Sequence, residues 1–194
     1  MSKGQDTRTA ILDQALQIAS QVGFEGLTIG QLAESTEMSK SGLFAHFRSK
    51  EQLQLQTLEH SRRWFIDTVM KPALAAPRGE ARVRALFNAW LRWEDVLDGG
   101  CVYVTAAVEY DDRPGAMRDA LARHQQDWLE SIATIVRTAV AEGDFRDDTD
   151  ADQFAFEFHA LTLGFHQFVR LLDDDLATRR ARSSFERLVA CYHV

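Results

Sequence analysis

Residues 28–47, which read TIGQLAESTEMSKSGLFAHF, decide the fold of this chain. Thr28 and Gln31 have the spacing of a capping box, which predicts that a helix begins here. Ser39 is a second candidate for an N-cap and predicts another short helix that ends near Phe47. Because only a tight turn is left between the two helices, the segment predicts a helix-turn-helix. Its second helix is small enough to lie in the major groove of DNA.

The second helix of this motif carries residues suited to a DNA surface. Lys40, Ser41 and His46 lie on the face that the pattern turns outward. Gly42 has no side chain, so the backbone there can approach DNA closely. Short helix pairs also occur in bundles that bind no DNA, so the pattern alone leaves both interpretations open.

The amino ends of three predicted helices offer further contacts to a phosphate backbone. Unpaired N–H groups follow Thr28, Ser39 and Ser49, and Lys50 adds a positive charge. The whole chain has 22 Lys and Arg against 29 Asp and Glu, a net charge of −7. This balance excludes a general binder of polyanions, so a few placed cations must suffice. We therefore expect few phosphate contacts per subunit and a modest dependence of DNA affinity on salt.

Helical periodicity continues along the rest of the chain. Apolar residues recur every three or four positions, few glycines and prolines interrupt them, and no segment favours a strand. A long helix begins at Ser49 and is expected to end at Pro72. The sequence predicts an all-α protein of about nine helices. A helix-turn-helix DNA-binding domain is expected at 1–56 and a helical effector-binding and dimerisation domain at 57–194.

The composition also restricts the cellular setting. Cys101 and Cys191 lie far apart in the sequence, which predicts reduced thiols and not a disulfide scaffold or a zinc site. The N-terminus lacks the apolar run of a signal peptide, and the longest uncharged stretches are too short to span a bilayer. We expect a soluble cytoplasmic protein that uses no metal and no cofactor and does not associate with a membrane.

About the first 55 residues resemble the N-terminal domain of the tetracycline-repressor (TetR) family in both residue type and spacing. The remaining residues are similar to that family only in their helical architecture. The matching positions are Thr7-Arg8, Ile11-Leu12, Ala15, Gly23-Phe24, Gly26, Thr28-Ile29, Leu32-Ala33, Met38 to Phe44, His46-Phe47, Ser49-Lys50-Glu51 and Leu53.

The resemblance implies a homodimeric transcriptional regulator, usually a repressor. Such a protein binds a palindromic operator and leaves it when a small molecule occupies the C-terminal domain. The resemblance places Thr28 near a phosphate and the start of the second motif helix at the groove, with His46 and Lys50 on the DNA backbone. The DNA-binding residues expected on these grounds are Thr28, Ser39, Lys40, Ser41, Gly42, Phe44, His46 and Lys50.

Two residues depart from the family pattern. Glu37 stands in the turn where glycine is frequent, and a left-handed backbone there would cost about 1 kcal/mol. Phe44 stands where an aromatic residue with a hydroxyl is usual. Its ring can pack against a sugar or a thymine methyl group but cannot bond to a phosphate.

The helix predicted to start at Asp150 is apolar on more than one side, so it must pack inside its subunit and also against something else. Its heptad-like stripe and a pair of small residues, together with the last helix, predict a four-helix dimer interface. A purely internal core helix is the alternative. The residues assigned to the interface are Phe158, Ala160, Leu161, Gly164, Phe165, Phe168, Leu188 and Tyr192.

Aromatic residues crowd the middle of the chain and are candidates to line an apolar cavity for a small, largely apolar effector. Most such stripes are simply core, which is the competing interpretation. Glu109 ends an otherwise uncharged run, as a polar group in that cavity or as the first exposed residue of a turn. The candidate pocket residues are Trp64, Phe87, Trp90, Tyr103, Glu109, Tyr110, Trp128 and His159.

His159 and His166 lie two turns apart on one predicted helix, which is too far for both to bind one metal ion. They are candidates for ligand contacts, for a pH-sensitive pair at the dimer seam, or for structural histidines. Whether Glu109 and these two histidines touch a ligand stays open at this level.

Two other functions compete with a DNA-binding regulator. An all-α enzyme with a pocket around Glu109 and His159 finds little support, because no nucleophile motif, phosphate loop or metal spacing is present. We expect no enzyme. A helical small-molecule-binding or interaction protein with weakened DNA binding is the other alternative, with Glu37 and Phe44 as the signs of that loss.

Overall fold

The computed structural model describes the backbone of residues 3–194 and the side chains from Thr7 onward. Over these residues the chain forms nine helices and no sheet strand, which confirms the all-α prediction. No helix in this described part is long and apolar enough to cross a membrane. The helices are α1 (Lys3–Gly26), α2 (Ile29–Thr36), α3 (Lys40–Phe47), α4 (50–75), α5 (Glu80–Trp93), α6 (Val102–Tyr110), α7 (Ala116–Ala141), α8 (Ala151–Arg170) and α9 (Ala177–Tyr192).

Helix α4 does not end at Pro72, and that prediction is wrong. An α-helix over Lys50–Phe65 continues through a π-helical turn, Ile66–Met70, into Lys71–Ala75. The N–H of Lys71 bonds to the carbonyl of Ile66, so the hydrogen-bond spacing has widened before the proline is reached. A proline clashes with the preceding turn of a regular helix, and the wider π turn lets the helix pass it.

The chain divides into two compact units. The first contains the residues up to Trp64 together with Leu97–Arg123, and the second contains Phe65–Val96 and His124–Val194. The first unit thus extends beyond residue 56 and includes α6. The predicted boundary between residues 56 and 57 separates a DNA-binding domain from an effector-binding domain. This division by function stays a prediction.

The core of the first unit holds the helix-turn-helix in place. Helix α1 contributes a buried apolar face that includes Leu16, and α2 and α3 contribute Leu32 and Leu43. The loop before α6 comes so close to α1 that a Cβ on Gly99 would lie 1.8 Å from the carbonyl oxygen of Ser20. Only glycine fits there, because the obstructing atom belongs to the backbone.

The core of the second unit is a cluster of aromatic rings around Phe158. This side chain is 0% exposed. Its ring centroid lies 5.7 Å from that of Phe87, 5.9 Å from that of Phe185 and 5.9 Å from that of Trp128. Phe87 and Phe185 stack in parallel with their centroids 4.0 Å apart. This packing accounts for the stripe of phenylalanines on α8.

Candidate nucleic-acid interface

The ends of α2, α3 and α4 are formed as their sequences predict. Thr28 and Gln31 complete the capping box, with each side chain bonded to the backbone N–H of the other at 3.2 Å. The hydroxyl of Ser39 accepts from the N–H of Gly42 at 3.1 Å. Ser49 accepts from Gln52 at the same distance. These caps confirm the predicted helix starts and fix the two short helices of the motif.

Helix α3 separates its residues into a buried and an exposed face. Leu43 and Phe47 are buried, which leaves the remaining positions for a partner. Lys40 and Ser41 are exposed, and the ring of Phe44 is 56% exposed. An apolar ring this exposed on a short helix is available to pack against a sugar or a thymine methyl group.

Two of the predicted DNA-binding residues of α3 are less exposed than Lys40, Ser41 and Phe44. His46 and Gly42 are half-buried, and a Cβ on Gly42 would lie 3.1 Å from the hydroxyl of Ser39. Arg48 was not predicted as a site residue although it is exposed directly after α3. It has a positive φ of 64°, and no residue pattern in the sequence indicates that conformation.

The turn between α2 and α3 contains a strained residue. Glu37 adopts the left-handed conformation, with φ 56° and ψ 22°. A side chain in this conformation crowds the following carbonyl, whereas glycine adopts it freely. The strain foreseen for Glu37 is therefore present in the folded chain.

We expect Glu37→Gly to raise the free energy of unfolding by about 1 kcal/mol, because it removes this strain. The matched control is Glu34→Gly, at an exposed position inside α2. There glycine should lower the free energy of unfolding by about 1 kcal/mol. Denaturant unfolding of both variants measures the two effects. A loss of stability in Glu37→Gly would contradict the strain.

Lys50 is engaged with another part of the first unit. Its ammonium donates to the backbone carbonyl of Glu25 at 2.7 Å and to the Glu25 carboxylate at 3.1 Å. The side chain remains 43% exposed. To make the predicted contact with the DNA backbone, Lys50 would have to bind a phosphate in competition with Glu25.

Four candidate pocket residues lie in the first unit. Glu109 accepts the N–H of Phe24 at 2.8 Å, and the hydroxyl of Tyr110 donates to Glu25 at 2.9 Å. Tyr103 is buried and accepts a bond from Ser61 at 3.1 Å. The ring of Trp64 lies beside that of His60, with centroids 6.0 Å apart. The polar groups of Glu109, Tyr110 and Tyr103 are thus bonded within the first unit, and the assignment of these four residues to a ligand pocket stays a prediction.

The other four candidate residues lie in the second unit. Phe87 and Trp128 belong to the aromatic cluster around Phe158, and Trp90 meets Phe165 edge to face at 6.0 Å. Burial lowers the pKa of His159. These residues form a largely apolar interior, as the sequence pattern indicates.

A buried contact between a carboxylate and a histidine in the second unit was only partly predicted. The Nδ1 atom of His166 lies 2.7 Å from Oε1 of Glu94, whose side chain is 1% exposed. The second oxygen of this carboxylate, Oε2, is buried and has no hydrogen-bond partner within the described part of the chain. Glu94 follows directly on helix α5, where a charged residue usually faces solvent.

The predicted dimer residues are divided between the interior and the surface of the protomer. Phe158, Phe165 and Leu188 are buried, which leaves them almost no surface to offer a partner. Ala160 and Phe168 are exposed, whereas Leu161 and Tyr192 are half-buried. A Cβ on Gly164 would meet open space. Two further apolar residues on α8 are exposed, Phe156 by 67% and Leu163 by 39%.

These features define a class of protein, in which a helix-turn-helix unit is combined with a helical unit that has an aromatic core. The profile "Bacterial regulatory proteins, tetR family" matches residues 11–57, and "Tetracyclin repressor-like, C-terminal domain" matches residues 79–185. The chain belongs to the TetR family of transcriptional regulators, which confirms the resemblance.

Individual relatives agree with this assignment. The biofilm operon icaADBC HTH-type negative transcriptional regulator IcaR of Staphylococcus epidermidis is 21% identical over 117 residues, and the match spans 60% of this chain and 60% of the relative. The structure of a TetR transcriptional regulator from Chloroflexus aurantiacus J-10-FL is 27% identical and covers 98% of this chain and 96% of its own, with a TM-score of 0.86. AibR, solved with isovaleryl coenzyme A and operator DNA, is 21% identical and covers 81% of this chain and 84% of its own, with a TM-score of 0.67.

Proposed function

We propose that this protein is a sequence-specific transcriptional repressor that binds a palindromic operator as a homodimer and leaves it when a small molecule binds. The observation that carries the proposal is the outward face of α3, where Lys40, Ser41 and Phe44 are exposed on a helix fixed by caps at both sides of the motif. A cap-fixed helix of this size fits the major groove. AibR offers a parallel, since it was solved with an operator and a small molecule together.

The DNA contacts we assign are those that the sequence predicts. Lys40, Ser41, Gly42 and Phe44 face the groove, Thr28 and Ser39 present helix amino ends to phosphates, and His46 and Lys50 contact the backbone. The domain that carries them is residues 1–56. Because few of these residues are cations, DNA affinity should fall only modestly as salt rises. Operator binding also sets the place of action, the cytoplasm.

The dimer interface that we propose is the exposed face of α8. Phe156, Ala160, Leu163 and Gly164 follow one another at helical spacing and lie on the surface of the protomer. The two small residues allow a second helix to approach closely, and the larger ones supply apolar area. This face adds Phe156 and Leu163 to the predicted interface. The predicted residues with surface to offer are kept, namely Ala160, Leu161, Gly164, Phe168 and Tyr192, whereas Phe158, Phe165 and Leu188 are buried in the protomer.

The effector we propose is a largely apolar molecule that carries a positive charge or a hydrogen-bond donor. The interior of the second unit contains the buried aromatic side chains of Phe87, Trp90 and Trp128. It also contains the unpartnered Oε2 of Glu94. A buried carboxylate oxygen without a partner is costly, and a ligand that donates to it would gain that free energy on binding.

We expect Glu94→Gln to weaken the effector roughly 10-fold or more, because a hydrogen bond to a charged group contributes about 1.5–3 kcal/mol. The affinity for the operator without effector should change less than about twofold. Release of labelled operator by increasing amounts of effector measures both quantities. Asp95→Asn, at the exposed neighbouring position, is the control and should behave as the unaltered protein. An equal effect of both variants would refute the role of Glu94.

The experiment that tests the proposed function is selection from a pool of random DNA duplexes at low salt. Enrichment of one palindrome supports the dimeric regulator and provides its operator for an effector screen. If no sequence is enriched, mass spectrometry of the supernatant of denatured protein shows whether a bound molecule prevented binding. A ligand-free protein that enriches no sequence would favour the alternative, an interaction or small-molecule-binding protein whose DNA surface is weakened by Glu37 and Phe44.

A further inference from the structure

The turn that follows the body of α1, residues 23–26, is held by two other helices of the first unit. From α4, the side-chain amide of Gln54 donates to the carbonyl of Phe24 at 2.7 Å, and Lys50 donates to the next carbonyl, that of Glu25, also at 2.7 Å. From α6, the carboxylate of Glu109 accepts the N–H of Phe24 at 2.8 Å. Helices α4 and α6 therefore meet at the same short turn.

The backbone of this turn is shaped to receive the side chain from α6. Gly23 has φ 76° and ψ 168°, a conformation that is accessible mainly to glycine. A Cβ at this position would lie 1.8 Å from Oε1 of Glu109. A side chain at residue 23 would therefore displace the Glu109 carboxylate from its bond to Phe24.

The carboxylate of Glu25 is shared between α6 and α4. Its Oε1 accepts the hydroxyl of Tyr110 at 2.9 Å, and its Oε2 accepts the ammonium of Lys50 at 3.1 Å. The bonds from Tyr110 and then Lys50 hold the pKa of Glu25 below its ordinary value. Burial and the bond to Glu25 raise the pKa of Tyr110. At neutral pH the carboxylate is therefore charged and the phenol keeps the proton that it donates.

Lys50 is the cation that our proposed function assigns to the DNA backbone. With 43% of its side chain exposed, its ammonium can be reached by a phosphate. A phosphate must compete with the Glu25 carboxylate for the ammonium of Lys50. The phosphate binds more weakly when the carboxylate attracts the lysine more strongly. The hydroxyl of Tyr110 is a second donor to that carboxylate and weakens the interaction of the carboxylate with Lys50.

We propose that Glu25 is a positioning residue that holds Lys50 back from DNA, and that Tyr110 weakens this hold by sharing the carboxylate. This inference rests on the proposed role of Lys50 at a phosphate. Loss of the tyrosine hydroxyl leaves the full carboxylate to Lys50 and lowers DNA affinity. Loss of the carboxylate charge leaves Lys50 with its bond to the Glu25 carbonyl but without the opposing charge, and so raises DNA affinity. Glu25 and Tyr110 thus have opposite effects on the availability of Lys50 to DNA.

The test compares the unaltered protein with Glu25→Gln, Tyr110→Phe and the double variant on a short duplex of random sequence. We expect Glu25→Gln to bind about 3- to 10-fold more tightly and to steepen the salt dependence by about one counterion per subunit. Tyr110→Phe, which keeps the buried ring, should bind about 2- to 5-fold more weakly. Because the tyrosine acts through the carboxylate, the double variant should match Glu25→Gln. Additive effects in the double variant would overturn the inference.

A measurement without DNA separates this inference from the proposed function. The rate at which Lys50 reacts with an amine-labelling reagent, read by mass spectrometry against Lys40 as the internal reference, should rise in Glu25→Gln and fall in Tyr110→Phe. Unchanged rates overturn the inference even if DNA is bound. If the rates shift as expected and no duplex is bound at low salt, the proposed function fails and the control of Lys50 by Glu25 and Tyr110 stands.

Discussion

Replacement of Lys40 and His46 by alanine is expected to lower operator affinity roughly 100-fold or more, since each lost charge-assisted or polar contact to DNA is worth about 1–3 kcal/mol. Both residues lie on α3 outside its buried face, and a symmetric dimer loses each contact twice. Alanine favours a helix more than lysine or histidine does. The motif should therefore stay folded while it loses its contacts.

Fluorescence anisotropy of a labelled operator measures this loss, and circular dichroism with thermal unfolding verifies the fold. The matched control replaces Lys71 and His193, an exposed lysine and an exposed histidine of the second unit. That variant should bind the operator as the unaltered protein does. Operator binding that survives the double change at Lys40 and His46 would refute the assignment of α3 to the groove.

Phe158→Ala is expected to lower the free energy of unfolding by about 3–5 kcal/mol. The side chain is fully buried and contacts the rings of Phe87, Phe185 and Trp128. Its removal leaves a cavity at the centre of the aromatic core, and the neighbouring rings cannot close it without breaking the parallel stack of Phe87 on Phe185. Denaturant unfolding measures the loss.

Leu163→Glu provides the contrast, because this residue is exposed on the same helix. We expect it to dissociate the dimer in sedimentation experiments while the stability of the protomer changes little, since a buried charge at an interface is costly. Val108→Glu, at an exposed apolar position of the first unit, is the control and should remain dimeric. A Phe158→Ala protein of normal stability that dissociates would restore Phe158 to the interface.

The helix-turn-helix was predictable because its decisive interactions are local. A cap joins residues three positions apart, so Thr28 and Ser39 could be recognised without knowledge of anything distant in the chain. The strain at Glu37 was predicted from the family resemblance, which places a glycine at this position of the turn, and Glu37 has the left-handed backbone that a glycine would adopt freely. Regular spacing of apolar residues was sufficient for the all-α fold and for nine helices.

The assignments that we changed depend on which residues meet across long stretches of sequence. Helix α8 is apolar on more than one side, so its sequence does not reveal which side faces the core of its own subunit. Phe158 is buried because aromatic side chains from α5, α7 and α9 pack around it. Glu94 is buried and its partner, His166, lies 72 positions away, so no local pattern signals this contact. Glu109, a candidate for ligand contact, bonds to the N–H of Phe24, 85 positions away. Local hydrogen bonds and periodicity therefore determine which helices form, whereas long-range packing determines which polar groups are left for function, because burial and pairing are properties of the assembled chain.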